Sequence, residues 1–240
     1  MNLRRFIRKS IAASYIIRTK AFPSFSQSGE DRIVGYLFHA LQMTKPTYLD
    51  IGANHPLSGS NTYFFYHYGS RGVCIEPDPE MFSLIKKMRP KDVALNIGIG
   101  LYEEEKAKLY IFPYPYSGWN TFSYEEAKQR EIESAIKIAK VHEVQLRPIN
   151  EIIEKYFNPH PNFLSIDVEG MDLQILQSID FERFKPEVIC TETITFSTKN
   201  QEEKVFDSIR FLESKGYFVF ADTHINTILC RTDVYKKSIS

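Results

Sequence analysis

After Ser28-Gly29, the apolar residues Ile33, Val34, Leu37, Phe38 and Leu41 recur at three- and four-residue intervals. That is the spacing of one buried helix face, and Lys45-Pro46 ends it. A compact run, Tyr48-Leu49-Asp50-Ile51, then stops at Gly52 and predicts a buried strand. Helix-like stretches at 60–68 and 79–88 alternate with strand-like runs at 72–76 and 93–97. The second half repeats the rhythm, with helices over 149–156, 171–178 and 202–215 and strands over 163–167 and 187–191. Strands alternating with helices of this length predict a parallel sheet covered on both faces. The last part departs from the pattern. The strand-like runs 217–221 and 227–231 are joined only by Asp222-Thr223-His224-Ile225-Asn226. That link is too short for a parallel crossover and predicts an antiparallel hairpin. The expected fold is α/β and Rossmann-like, a mostly parallel sheet with a C-terminal antiparallel hairpin.

Between the halves, residues 106–147 break the alternation, with strand-like runs at 108–112 and 141–146 around an aromatic loop and a charged helix. Ligands of open α/β sheets bind at the carboxyl ends of the strands, so this insertion is expected to roof that edge. No repeat or Gly/Ser/Pro-rich linker divides the chain. It reads as one domain over 26–240 with a basic extension over 1–25. The chain has 30 basic and 30 acidic residues, a formal net charge of zero that argues against a nucleic-acid partner. The one asymmetry is at the start, where residues 1–20 hold Arg4, Arg5, Arg8, Lys9, Arg18 and Lys20 and no acid. This segment reads as a basic amphipathic helix, covering part of the domain or making a peripheral contact with the inner membrane face. Its apolar run, 11–17, is far short of the ~20 residues that span a bilayer and lacks a convincing cleavage site. Cys74, Cys190 and Cys230 each sit in an apolar run without a Cys or His at metal-ligand spacing, so they read as core thiols of a reducing cytoplasm. The sequence leaves the oligomeric state open.

Three constellations carry chemistry. In the first, the strand ending at Ile51 runs into Gly52, where a glycine lets backbone approach a ligand, and Gly59-Ser60 leads into the next helix. Asp50 there can accept from a ligand ammonium, although such a turn alone is also ordinary α/β punctuation. In the second, Glu76 ends the following strand, two residues before Asp78. A carboxylate in that place accepts hydrogen bonds from both ribose hydroxyls and disfavours a 2′-phosphate. The two elements together fit an adenosine cofactor, S-adenosylmethionine (SAM) or NAD. The glycine spacing is not the G-x-G-x-x-G that a pyrophosphate requires, whereas SAM has no phosphate. In the third, strand alternation puts Ser165, Asp167 and Glu169 on one side, so two carboxylates project near the reactive edge; Glu169 also reads as a helix cap.

Taken in order, Ser-Gln-Ser-Gly-Glu-Asp31, Leu-Asp-Ile-Gly-Ala-Asn54, Ser-Asn-Thr62, Ile-Glu-Pro77, Ser-Ile-Asp-Val-Glu-Gly170 and Glu192 resemble the FkbM family of SAM-dependent methyltransferases over 26–231. The resemblance implies a class I methyltransferase fold, SAM as cofactor, and O-methylation of a sugar or polyketide hydroxyl. It implies that Asp50, Gly52 and Asn54 hold the methionine end, Glu76 the ribose, and Asp167 the reacting edge. Gln27 and Asn61 lie in the same motifs, and Asp78, after the second strand, and Asn96, near the end of the third, complete the expected cofactor set. The Asn/Asp-Pro-Pro-aromatic motif of enzymes that methylate nucleic-acid bases is not seen.

A sugar hydroxyl must lose a proton as it attacks a sulfonium methyl. Either a general base takes it, with Glu169, His224 and His55 as candidates, or a divalent ion lowers its pKa. Asp167, Glu192 and His224 follow three strands and are expected to converge as ligands for Mg, Mn or Fe(II). The aromatic loop 110–124 offers flat rings for a sugar face and polar groups for its hydroxyls, so Tyr116, Ser117, Trp119, Asn120 and Thr121 are the expected acceptor residues. The expected function is SAM-dependent O-methylation of a carbohydrate, nucleotide-linked or part of a glycan. An NAD-dependent sugar oxidoreductase or epimerase and a non-catalytic binding module are the alternatives.

Overall fold

In the computed structural model, residues 23–101, 105–168, 170–195 and 202–238 are described. Residues 1–22 of the basic extension expected over 1–25, and Glu169, lie outside the described residues. Gly29, at φ 93°, turns the chain into α1 (Glu30–Ala40). The first apolar run forms β1 (Tyr48–Ile51), buried at every position. Then follow α2 (Tyr63–His67), β2 (Gly72–Ile75), α3 (Pro79–Met88) and β3 (Val93–Leu95). Asp78 caps α3 by accepting the Glu80 N–H, and Pro79 takes the first helical position, where no amide partner is needed.

The second half supplies α5 (Ile149–Tyr156), β7 (Phe163–Ile166), α6 (Asp172–Ser178), β8 (Val188–Glu192), α7 (Asp207–Ser214), β9 (Tyr217–Asp222), β10 (Asn226–Arg231) and α8 (Thr232–Ser238). The seven strands are ordered β3-β2-β1-β7-β8-β10-β9. The first five are parallel, while β10 runs antiparallel to both neighbours and forms the expected hairpin with β9. Both faces are covered, which is why β1, β7 and β8 read as nearly continuous apolar runs. Leu49, Ile51, Leu164, Ile166 and Ile189 pack on one face, and Tyr48, Phe163, Val188 and Cys190 on the other. All three cysteines are buried and free.

The insertion builds a second sheet, ordered β4-β6-β5, from β4 (Gly98–Ile99), β5 (Lys106–Ile111) and β6 (Lys140–Arg147). Its helix α4 (Tyr124–Ser134) is capped by Ser123, whose Oγ accepts the Glu126 N–H. Three expected elements differ, the first being the helix placed over 60–68, which spans only Tyr63–His67. The helix placed over 202–215 begins only at Asp207, because Lys204 instead forms an antiparallel bridge with Ile194. The strand placed over 93–97 stops at Leu95, because Gly98 and Ile99 leave the main sheet to pair with β6. Among the described residues no helix is long and apolar enough to cross a membrane.

Candidate active site

Strand order reverses at β1, whose neighbours are β2 on one side and β7 on the other. Crevices at such a switch point are where open α/β sheets bind ligands, and here a cavity of about 910 Å³ opens at the carboxyl ends of β1, β2, β7 and β8. Gly52 sets its floor. At φ 78° it adopts a backbone that side chains avoid, and a Cβ there would lie 1.9 Å from the Asp167 carbonyl oxygen. The end of β1 and the end of β7 therefore touch, with the Asp167 N–H donating to the Ile51 carbonyl at 3.0 Å.

Glu76 lines the same cavity. Its Oε2 accepts the Asn54 N–H at 2.6 Å and its Oε1 the Asp78 N–H at 2.7 Å, so the carboxylate is held rigidly at the end of β2. Burial pushes the carboxyl up to about 8, against the pull of those two amides, and the charges of Asp78 and Asp50 add to the rise. Ribose hydroxyls that donate to it would favour the ionised form. A ligand that selects the carboxylate binds more tightly as pH rises through that value. S-adenosylhomocysteine (SAH) affinity is thus expected to increase about tenfold from pH 7 to pH 9. Calorimetry in buffers of different ionisation enthalpy would show the accompanying proton release, and a flat profile would remove Glu76 from the ribose site.

Asp50 lies at the cavity wall with a polar network behind it that the sequence did not reveal. Thr62 Oγ1 donates to Asp50 Oδ2, and the Arg89 guanidinium donates to Thr62 Oγ1 at 2.9 Å while lying 3.7 Å from Asp50. Arg89 is wholly buried. Its Nε donates to Asp92 at 2.8 Å, and Asp92 also accepts from the Tyr48 hydroxyl at 2.8 Å and the Gly72 N–H at 3.0 Å. Burial raises the Asp50 carboxyl, and Arg89 and Thr62 pull it back.

Asp167 also lines the cavity. Burial, with the charges of Asp50 and Glu30, pushes its carboxyl up to about 6. Beside it Asn61 Nδ2 donates to Ser165 Oγ at 3.2 Å. The next turn is tied down by Asp172, whose carboxyl burial and the Asp167 charge push up to about 8 against the amides of Asp172, Gly170 and Val168. The segment carrying Ser24, Phe25, Ser26 and Gln27 forms another wall. It is fastened by Asp31, which accepts from the Ser24 hydroxyl at 2.7 Å, the Phe25 N–H at 2.7 Å and the Ser26 hydroxyl at 3.0 Å.

A family model described as the methyltransferase FkbM domain matches residues 50–219. The chain belongs to the FkbM methyltransferase family. The match covers every strand from β1 into β9, and the mostly parallel seven-stranded sheet with antiparallel β10 is the class I methyltransferase arrangement. Among solved structures, the chain is similar to a TehB-like SAM-dependent methyltransferase from Corynebacterium glutamicum at 9% identity, covering 93% of this chain and 97% of that one, TM-score 0.44. It is similar to an O-methyltransferase from Bacillus cereus in complex with SAH at 12% identity, covering 94% and 88%, TM-score 0.42. A third is the 1,6-didemethyltoxoflavin-N1-methyltransferase of Burkholderia thailandensis with bound SAH, at 8% identity, covering 95% and 85%, TM-score 0.42. No curated protein matches. Methyltransferase membership displaces the NAD-dependent reading.

Several expected site residues of this FkbM methyltransferase stand elsewhere than expected. Gln27, Asp50, Gly52, Asn54, Asn61, Glu76 and Asp167 line the cavity, and Asp78 and Asn96 do not. Asp78 is spent on capping α3, and Asn96 Nδ2 donates to the carbonyls of Glu76 and Pro77, so both brace the wall from behind. The aromatic loop closes over the Glu76 end. Ser117 Oγ donates to Asn54 Oδ1 at 3.0 Å and Asn120 Nδ2 to Asp78 Oδ2 at 3.1 Å, while Thr121 Oγ1 donates to Glu126. Tyr116 and Trp119 are not among the lining residues; their rings pack on each other with centroids 4.6 Å apart. Of the expected acceptor residues Ser117, Asn120 and Thr121 line the cavity, together with Tyr114 and Phe122 of the same loop, so the loop roofs the Glu76 end with polar groups and rings alike.

The expected metal triad does not assemble. Among the described residues no three His, Cys, Asp or Glu side chains could hold one ion. Asp167 and Glu192 line the cavity and His224 does not. They follow β7, β8 and the turn before β10, strands spaced ~4.8 Å apart, and His224 is exposed at φ 75°. Its backbone is tied to Asp222 and Lys204 at the hairpin tip, and as a candidate base it likewise stands outside the cavity lining.

Proposed function

We propose that this FkbM methyltransferase moves a methyl group from SAM to a hydroxyl of an uncharged carbohydrate. The observation that carries the reading is that one cavity joins a rigidly held carboxylate at the end of β2, Glu76, to a buried carboxylate at the end of β7, Asp167. Bound there, SAM supplies an electrophilic methyl group on a sulfonium. Glu76 would accept from the ribose hydroxyls and Asp50 from the methionine ammonium. Asp167 would take the acceptor's proton, since a carboxyl raised toward neutrality is a better base than an ordinary one. The wall made by Ser24, Ser26, Gln27, Ser58 and Asn61 offers hydroxyls and amides suited to a polyol.

Charge narrows the acceptor. Four carboxylates line the cavity, Asp50, Glu76, Asp167 and Glu192, and among the described lining residues there is no Lys or Arg. A nucleotide-linked sugar would bring a diphosphate with no cation to meet it, so a glycan sugar is favoured. The basic residues 1–20 support a further proposal, a cytoplasmic protein in contact with anionic lipid. The activity is tested with methyl-tritiated SAM against neutral glycans and nucleotide sugars. Label in an alkali-stable methyl ether of a neutral glycan is expected. Transfer to nitrogen, or to nucleotide sugars only, would overturn the assignment.

A further inference from the structure

His55 follows Asn54 on the turn after β1 and lines the cavity. Its Nδ1 accepts two backbone amides, Leu57 N–H at 3.2 Å and Ser58 N–H at 3.0 Å. A ring nitrogen that accepts carries no proton, so the hydrogen-bond pattern assigns the neutral tautomer with its hydrogen on Nε2. Among the described residues nothing pairs with that N–H. The turn has therefore set the ring as a donor, which is the opposite of the proton acceptor the sequence suggested for His55.

The cavity gives this donor a purpose. Its lining carries four carboxylates and, among the described residues, no Lys or Arg, yet SAM brings a carboxylate of its own. Where no Lys or Arg is at hand, an anionic oxygen must be met by uncharged donors, and a histidine N–H held in one tautomer is one. We propose, on the SAM reading of the cavity, that His55 Nε2–H donates to the methionine carboxylate of the cofactor. The opposite end of the amino-acid moiety then falls to Asp50, so the end of β1 and the turn after it read both charges of the zwitterion. An anionic group on the acceptor is the other source of such an oxygen.

The test compares His55→Asn with the unaltered chain. Asparagine Oδ1 takes the place of Nδ1 and keeps the acceptor for the Leu57 and Ser58 amides, while the Nε2–H donor is lost. The Kd for SAH is expected to rise at least tenfold, since a hydrogen bond to a charged group is at stake. The Kd for 5′-methylthioadenosine, which lacks the methionine carboxylate, is expected not to change. Equal weakening of both ligands would make His55 a turn former only, and unchanged SAH affinity with a raised acceptor KM would place the donor on the acceptor; either overturns the assignment. In ¹⁵N-histidine spectra of the unaltered chain, Nδ1 is expected as the unprotonated nitrogen, with the Nε2 signal moving on addition of SAH. A protonated Nδ1 would overturn it without any variant. If the unaltered chain binds neither ligand, the SAM reading fails, whatever the role of His55.

Discussion

Asp167→Asn is expected to lower kcat by about 10²–10⁴-fold, the range for a positioned general base, while SAH binds as before. The backbone of Asp167 is fixed by its bond to the Ile51 carbonyl, so an isosteric amide leaves the edge of the sheet in place. What it removes is a basic oxygen. The carboxyl is pushed up to about 6 by burial and the charges of Asp50 and Glu30. Below that pH it is protonated and cannot accept; above it the base is present. The acceptor kcat/KM should therefore rise with pH and level off above about 6, with the limb displaced to lower pH when a sulfonium is bound nearby. In the asparagine variant the limb should vanish. A limb that persists there, with kcat within a factor of ten, would assign the proton to another group.

Arg89→Met should cost about 3–5 kcal/mol of folding stability, the usual penalty for breaking a buried charge pair from one side. For a chain of this length that corresponds to roughly 2–4 °C in Tm per kcal/mol. Methionine fills much of the space, so the loss is electrostatic. Asp92 would keep the Tyr48 and Gly72 donors and lose its counter-charge, and Asp50 would lose the cation that opposes the rise of its carboxyl. The Asp50 carboxyl, raised by burial, holds a proton in the folded state and releases it on unfolding. Stability of the variant should consequently fall as pH rises above the ordinary carboxylate range, so the deficit is larger at pH 8 than at pH 5. Urea denaturation at both pH values measures it. A deficit under 1 kcal/mol and independent of pH would show that Arg89 is not the network's counter-charge.

The central strands were legible because burial on both faces writes itself as uninterrupted apolar runs, and β1, β7 and β8 are of that kind. The Gly52 turn and Glu76 were legible because both must stand at strand ends. Arg89 and Asp92 were not, since they follow Lys86 and Lys87 in a charged segment that looks solvated. Only the wrapping of Tyr48, Thr62 and Gly72 around them, from distant parts of the chain, takes them out of water. The seating of the aromatic loop was not legible for a related reason: Ser117 and Asn120 meet Asn54 and Asp78 across long sequence separations, and nothing local announces it. His224 misled because the chain order does not tell that β10 lies beyond β8. The five-residue turn fixed the hairpin but not its place in the sheet.

That place has a bearing on biosynthesis. During translation, a nascent chain that has delivered β8 and β9 still lacks the strand that separates them. Val188, Ile189 and Cys190, all buried in the finished sheet, wait with an open edge until Asn226–Arg231 leaves the ribosome. The same late segment reaches back to α1, where Thr223 and Asn226 donate to Glu30. The native core therefore closes only after nearly all of its strands have been made, and unpaired strand edges of this sort are prone to aggregate. By its place between β8 and β9, β10 thus leaves this apolar edge open until the last strand of the sheet has been made.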